Sequence, residues 1–196
     1  MQLRLQSCST IIHNSFTWIE PQNTGFLIGH FGFNANETER LGRAHDKITS
    51  DNCRKFFDDT LAALRKNGEI HSHFGDTPTT LDQALSITTI NKYSSNLTAK
   101  EVGVSQRSWA EVKNTFDNSQ GFGTHASGVT LADGRIFLTD NAFYQAGAIS
   151  QLLYKDTDLS GVIVHELFHR AGLSESQIRA LHPQIQQNCG NPRDAL

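Results

Sequence analysis

At 196 residues, with 37% hydrophobic and 19% charged residues, the chain is long enough to bury one core and has the composition of a globular domain. Its formal net charge is −3 and its 17 Lys and Arg are scattered without a patch, which argues against a nucleic-acid partner. Apolar runs such as GVIV (161–164) extend only a few residues, so no membrane span is expected.

The opening MQLRLQSCSTIIHNSF has no apolar h-region and no small-residue cleavage site, so no signal peptide is read there. Short apolar runs mixed with Gly, Asn and Pro suggest an extended arm or irregular strands over residues 1–45, and the Gly-rich GHFGF reads as loop because no strand–turn–helix context or following Lys makes it a phosphate loop. Residues 50–67 read as a helix: Cys53, Phe57, Leu61 and Leu64 form an apolar stripe, Asp51 lies in the first turn, Lys66 in the last, and Gly68 follows. Shorter helices are expected next, because Thr80 with Gln83, Thr98 with Glu101 and Ser108 with Glu111 have capping-box spacing.

Over 127–140 the period changes to two. Val129 and Leu131 before Asp133–Gly134, and Ile136 and Leu138 after it, predict a β-hairpin. A helix is expected near 141–154. Another should start at Asp158 or Thr157, with Val164, Leu167, Phe168 and Ala171 as one buried stripe and Gly172 as its stop. The last helix is marked by a Ser174–Gln177 capping box and a Leu173–Ile178 hydrophobic staple, and Pro183 is expected to kink or split it. The expected fold class is α+β: one domain over 46–196, with a small sheet and its hairpin packed on the 158–171 helix and further helices around them.

Chemistry concentrates in that helix. In HELFHRAGLSE (165–175), His165 and His169 lie one helical turn apart on one face, so both rings can reach one zinc ion. Glu166 is rotated by about 100° from His165, beside such a metal and off it, where a general base stands. The bland alternative is a charged helix end that happens to spell the pattern. Against it, the match lies in a strongly apolar helix, where unpaired polar groups are costly. Spacing favours Glu175 as third ligand, in a first helical turn whose dipole also suits a carboxylate; His182, seven residues on, is the competitor, and Asp194 is less favoured still.

Other candidates are weaker. His71, His73 and Asp76 in EIHSHFGD form a pair-and-acid cluster that reads more readily as a solvated loop. His125, Tyr144 and Tyr154 are candidates to polarise a carbonyl near the metal, with nothing to select one of them. Cys8, Cys53 and Cys189 make no CxxC spacing, so thiolate-held zinc is not expected. Cys53 and Cys189 fall on apolar helix stripes and are expected to pair, with two buried thiols as the alternative.

HELFHRAGLSE resembles the HExxH signature of the zincin superfamily of zinc metallopeptidases, in the extended HExxHxxGxx(H/D) form of metzincin-like members. The resemblance implies a zincin-like fold, with His165 and His169 as zinc ligands, Glu166 as catalytic base and Gly172 as the turn. The departure is Glu175, which stands where that form has His or Asp. Cys53 in its helix, the hairpin, the HExxH helix and the closing QNCGN also resemble metallopeptidase-like modules at the C-terminal ends of secreted bacterial Rhs/YD-repeat proteins. That likeness spans about residues 50–190. The function so implied is zinc-dependent hydrolysis of peptide bonds in a peptide or protein substrate. Two alternatives stay open: an inactive zincin-like binding module, and a toxin or effector peptidase released from a larger exported chain.

Overall fold

The computed structural model of the chain describes residues 24–29, 32–70, 77–118, 126–131, 133–143, 158–190 and 192. Among these residues eight helices surround a four-stranded mixed sheet, an α+β architecture. No helix of the described residues is long and apolar enough to cross a membrane.

The chain enters at β1 (Leu27–Ile28), followed by α1 (Ala35–Ile48) and α2 (Asp51–Lys66). Helix α1 runs across the boundary expected at residue 45, so residues 35–45 of the expected arm are helical. Its buried face is sparse, only Glu37, Leu41, Ala44 and Ile48, and Gly42 falls inside it, which is why apolar periodicity missed it. What starts it is local: the Asn34 side chain accepts from Glu37 N–H, and the Glu37 carboxylate accepts in return from Asn34 N–H. Glu37 is fully buried and pairs with Lys92 at 2.6 Å, so the cap also ties α1 to the sheet. Helix α2 has the expected Cys53, Phe57 and Leu61 stripe, with Ser50 as N-cap.

Helix α3 (Leu81–Ile87) starts at Thr80 as its spacing predicted, and leads into β2 (Thr89–Lys92), a strand the sequence reading did not foresee. Helices α4 (Ala99–Val102) and α5 (Gln106–Asn118) follow. The Thr98–Glu101 box caps α4 as expected. Ser108, by contrast, lies inside α5, and Ser105 Oγ accepts from its N–H at 3.0 Å, so the cap is three residues upstream of the one its spacing suggested.

Strands β3 (Gly128–Thr130) and β4 (Arg135–Leu138) form the expected hairpin, with Gly134 at φ 87° in the turn. The sheet order is β1-β2-β4-β3: β1, β2 and β4 are parallel, and β3 closes one edge antiparallel to β4. Strand β4 is covered on both faces. Ile136 and Leu138 enter the larger core with α1, α2 and the later helices, while Phe137 enters a second cluster with Trp109, Val112 and Phe116 of α5. Helix α6 (Asp140–Phe143) comes next; the rest of the helix expected near 141–154 lies outside the described residues, and the next described elements are α7 (Leu159–Arg170) and α8 (Glu175–Asn188).

Helix α7 is the centre of the molecule. Asp158 caps it, and every residue from Leu159 to Arg170 except His169 is buried. The single stripe expected for it is therefore too narrow, since Val162 and Ile163 are as fully buried as Val164, Leu167 and Phe168. Phe168 stacks on Phe57 of α2 with ring centroids 4.4 Å apart. Helix α8 carries the expected capping box and continues unbroken through Pro183, without the split that proline suggested.

Cys53 of α2 and Cys189, the C-cap of α8, are joined by a disulfide with sequence separation 136. The bridge closes everything from the start of α2 to the end of α8 into one loop, with β1 and α1 outside it. Converting both cysteines to alanine should lower the unfolding free energy by about 2–5 kcal/mol, measured by denaturant titration under non-reducing conditions. An unchanged midpoint would mean that the bridge constrains nothing the core does not already fix.

Candidate metal centre

Helix α7 must end abruptly for its C-terminal histidine to meet anything on α8. It ends in a Schellman motif: Leu173 N–H reaches Phe168 O at 3.1 Å and Gly172 N–H reaches His169 O at 2.9 Å. Gly172 sits at φ 93°, a left-handed conformation that a side chain would strain. Leu173 follows, buried in the core with Ile178, as the hydrophobic staple requires. Ser174 then caps α8, and Glu175 becomes its first residue. The reversal takes only four residues, 171–174, between the two helices.

This geometry brings His165, His169 and Glu175 together. His165 Nε2 lies 3.2 Å from His169 Nε2 and 3.2 Å from Glu175 Oε2, and His169 Nε2 lies 3.1 Å from the same oxygen. A tetrahedral zinc with bonds near 2.0–2.1 Å needs ligand atoms about 3.3 Å apart, close to this spacing. Among the described residues this is the one cluster of His, Cys, Asp and Glu with that closeness. His165 is almost fully buried, while His169 and Glu175 are part-exposed, so the triangle opens on one side.

Proton accounting shows what the triangle requires. His169 Nδ1 lies 3.1 Å from Leu173 O, which can only accept, so a neutral His169 carries its proton on Nδ1. Its Nε2 then presents a lone pair to the Glu175 carboxylate. Two acceptors face each other at 3.1 Å unless a cation lies between them. Proton and metal ion both satisfy that demand, and they compete for it.

The electrostatics agree. Burial works against a charged His169, but the Glu175 hydrogen bond and the Glu166 and Glu175 charges outweigh it, so its pKa is raised above the usual imidazole value. Burial would raise the Glu175 pKa, yet hydrogen bonds from His165, His169 and Arg179 hold it far below the usual carboxylate range. Arg179 Nε donates to Glu175 Oε1 at 2.6 Å, leaving Oε2 for the triangle. That partner was legible as an i,i+4 pair on α8.

His182 is not in the triangle. Its Nε2 lies 3.1 Å from His165 Nδ1, on the far side of the His165 ring. His182, the competitor for third ligand, is thus placed to orient the His165 ring from behind. Burial, with the nearby His165, lowers the His182 pKa despite Glu175, which favours the neutral ring.

Glu166 stays off the triangle, though its charge acts on His169. It is buried beneath strand β3, where Thr130 Oγ1 donates to its Oε2 at 2.6 Å. A Cβ at Gly128 would approach Glu166 Oε1 to 2.9 Å, so the strand leaves room for this carboxylate. Thr130 and Gly128 escaped sequence reasoning, because nothing in the hairpin pattern says which residue of the next helix its inner face will meet. His71, His73, Asp76, His125, Tyr144, Tyr154 and Asp194 lie outside the described residues.

No protein-family model, curated protein or solved structure matches the chain.

Two outcomes follow from the geometry. Glu175→Ala removes a triangle atom and should weaken zinc binding far more than His182→Ala, which at about 10–100-fold should look like the loss of an orienting group. Competition with a chromophoric chelator measures both, and the reverse ranking would place His182 on the metal. The second outcome concerns pH. A raised histidine pKa stabilises the metal-free fold fully below about pH 6.5 and loses that contribution as pH rises through the raised value. The depressed Glu175 pKa gives a contribution that is lost only in strong acid, and so is constant over this range. Zinc needs neutral imidazoles and gains affinity over the same window. The rise in Tm on adding zinc should therefore grow from about pH 6 to pH 8. A rise that stays flat or shrinks would mean that protons and zinc do not share the site.

Proposed function

We propose that the chain is a zinc-dependent peptidase of the HExxH kind. The observation that carries this reading is the triangle of His165 Nε2, His169 Nε2 and Glu175 Oε2, three ligand atoms spaced 3.1–3.2 Å apart. Its donor set, two imidazoles and one carboxylate, is a set that catalytic zinc accepts while keeping a further position open. Zinc held there would supply Lewis acidity toward a water and a scissile carbonyl. The remaining work falls to the chain. Glu166 takes the proton from the attacking water and passes it to the leaving amine. His182 and Leu173 O fix the ring directions of His165 and His169.

Strand β3 is suited to receive an extended substrate. Leu131 N–H bonds Arg135 O and Thr139 N–H bonds Ser127 O, so alternate residues 127, 129 and 131 turn their backbone polar groups toward β4. Gly128 and Thr130 turn theirs to the outer edge, where no further strand lies among the described residues. A peptide added there would pass along the strand that covers Glu166.

The Cys53–Cys189 disulfide supports an oxidising compartment, and with it the reading of an exported peptidase or effector.

Glu166→Gln is the direct test. The variant should retain zinc and its melting temperature, while cleavage of an unfolded protein or a broad peptide library falls by about 10²–10⁴-fold. Wild-type protein that binds zinc and cleaves nothing in such a library would turn the reading toward a zincin-like binding module. A Gln variant as fast as wild type would remove Glu166 from the chemistry.

A further inference from the structure

Resting on the peptidase reading, we propose that Thr130 is the positioning residue for the base: its hydroxyl, with the empty space at Gly128, fixes which oxygen of Glu166 is free to take a proton. Residues 128 and 130 are two apart on β3 and share the face turned to α7, while Val129 between them packs into the second cluster. Thr130 Oγ1 donates to Glu166 Oε2 at 2.6 Å and also lies 3.1 Å from Glu166 O, so the hydroxyl spans the side chain and backbone of the same residue. One proton serves both acceptors, and the shorter contact to the charged oxygen is the stronger.

The other oxygen is placed by absence of bulk. A Cβ at position 128 would stand 2.9 Å from Glu166 Oε1, 3.0 Å from Cγ and 3.1 Å from Cδ. The carboxylate thus fills the space that a side chain at position 128 would take, and is pinned at its other oxygen. Among the described residues no side chain or backbone group donates to Oε1, which leaves it the proton-accepting atom. A carboxylate on a glutamate has three side-chain torsions, and one hydrogen bond to a strand removes most of that freedom before substrate arrives. The strand that covers the base also aims it.

The test has two arms. The first is independent of activity: Tm is measured for wild type, Thr130→Val, Glu166→Ala and the double variant. Valine keeps the shape and strand preference of threonine and puts a methyl where the hydroxyl was. If the hydroxyl holds Glu166, Thr130→Val lowers Tm in the wild-type background and lowers it by roughly half as much or less when residue 166 is alanine. Equal losses in both backgrounds overturn the proposal.

The second arm is kinetic, on zinc-loaded protein. Thr130→Val should lower kcat by about 10–100-fold with zinc content and KM unchanged, and Thr130→Ser, which restores the hydroxyl, should recover most of it. Val112→Ala, in the second cluster on α5 and away from β3, should cost stability without this loss of kcat. A Thr130→Val enzyme with wild-type kcat, or a serine variant as slow as the valine one, overturns the proposal. Wild type that cleaves nothing overturns the peptidase reading instead, and the Tm comparison then decides by itself whether Thr130 holds Glu166.

Discussion

A helix buried on every side cannot leave its polar side chains to water, and that constraint organises this molecule. Helix α7 is enclosed by α1, α3, α6, α8 and strand β3. Each polar group it carries into the interior must find a partner or cost a few kcal/mol. Ser160 donates to Cys189 O, His165 meets His182, and Glu166 accepts from Thr130. Those partners come from α8 and β3, so satisfying one helix fixes the placement of its two neighbours. At the triangle of His165, His169 and Glu175, two acceptors, His169 Nε2 and Glu175 Oε2, face each other at 3.1 Å when His169 is neutral.

The position of α8 is determined twice over. At its N-terminus the Schellman turn at Gly172 and the Ser174 cap set where Glu175 emerges. At its C-terminus the disulfide to Cys53 and the Ser160–Cys189 hydrogen bond hold the last turn against α2 and the start of α7. A helix pinned at both ends presents Glu175 and His182 to His165 with little freedom. Preorganisation of this kind is what a ligand set or a base needs to act without first being ordered.

How much of this was legible depended on whether the determining contact was local. The hairpin, the α8 capping box, the Gly172 stop and the His165–His169 pair are all fixed within a few residues, and each could be read from spacing. Helix α1 was as local in its cap, Asn34 with Glu37, but its buried stripe was too thin to notice. Strand β2 was harder, because a short buried strand at the centre of a parallel sheet has no alternation to display. The roles of Thr130, Gly128 and His182 depend on how β3 and α8 dock on α7, across 36, 38 and 17 residues of sequence for Glu166 with Thr130 and Gly128 and for His165 with His182. Spacing could place His182 near the site; only packing puts it behind His165 and off the triangle.

The proposed function rests on one claim, that three atoms from α7 and α8 form a receptor for a metal ion. X-ray absorption at the zinc edge on protein reconstituted with one equivalent of zinc reads that claim directly. The predicted spectrum has two imidazole nitrogens and carboxylate oxygen in a first shell near 2.0–2.2 Å, with no sulfur, and it loses an imidazole on His169→Ala. A protein that takes up no zinc, or a shell unchanged by that substitution, would contradict it.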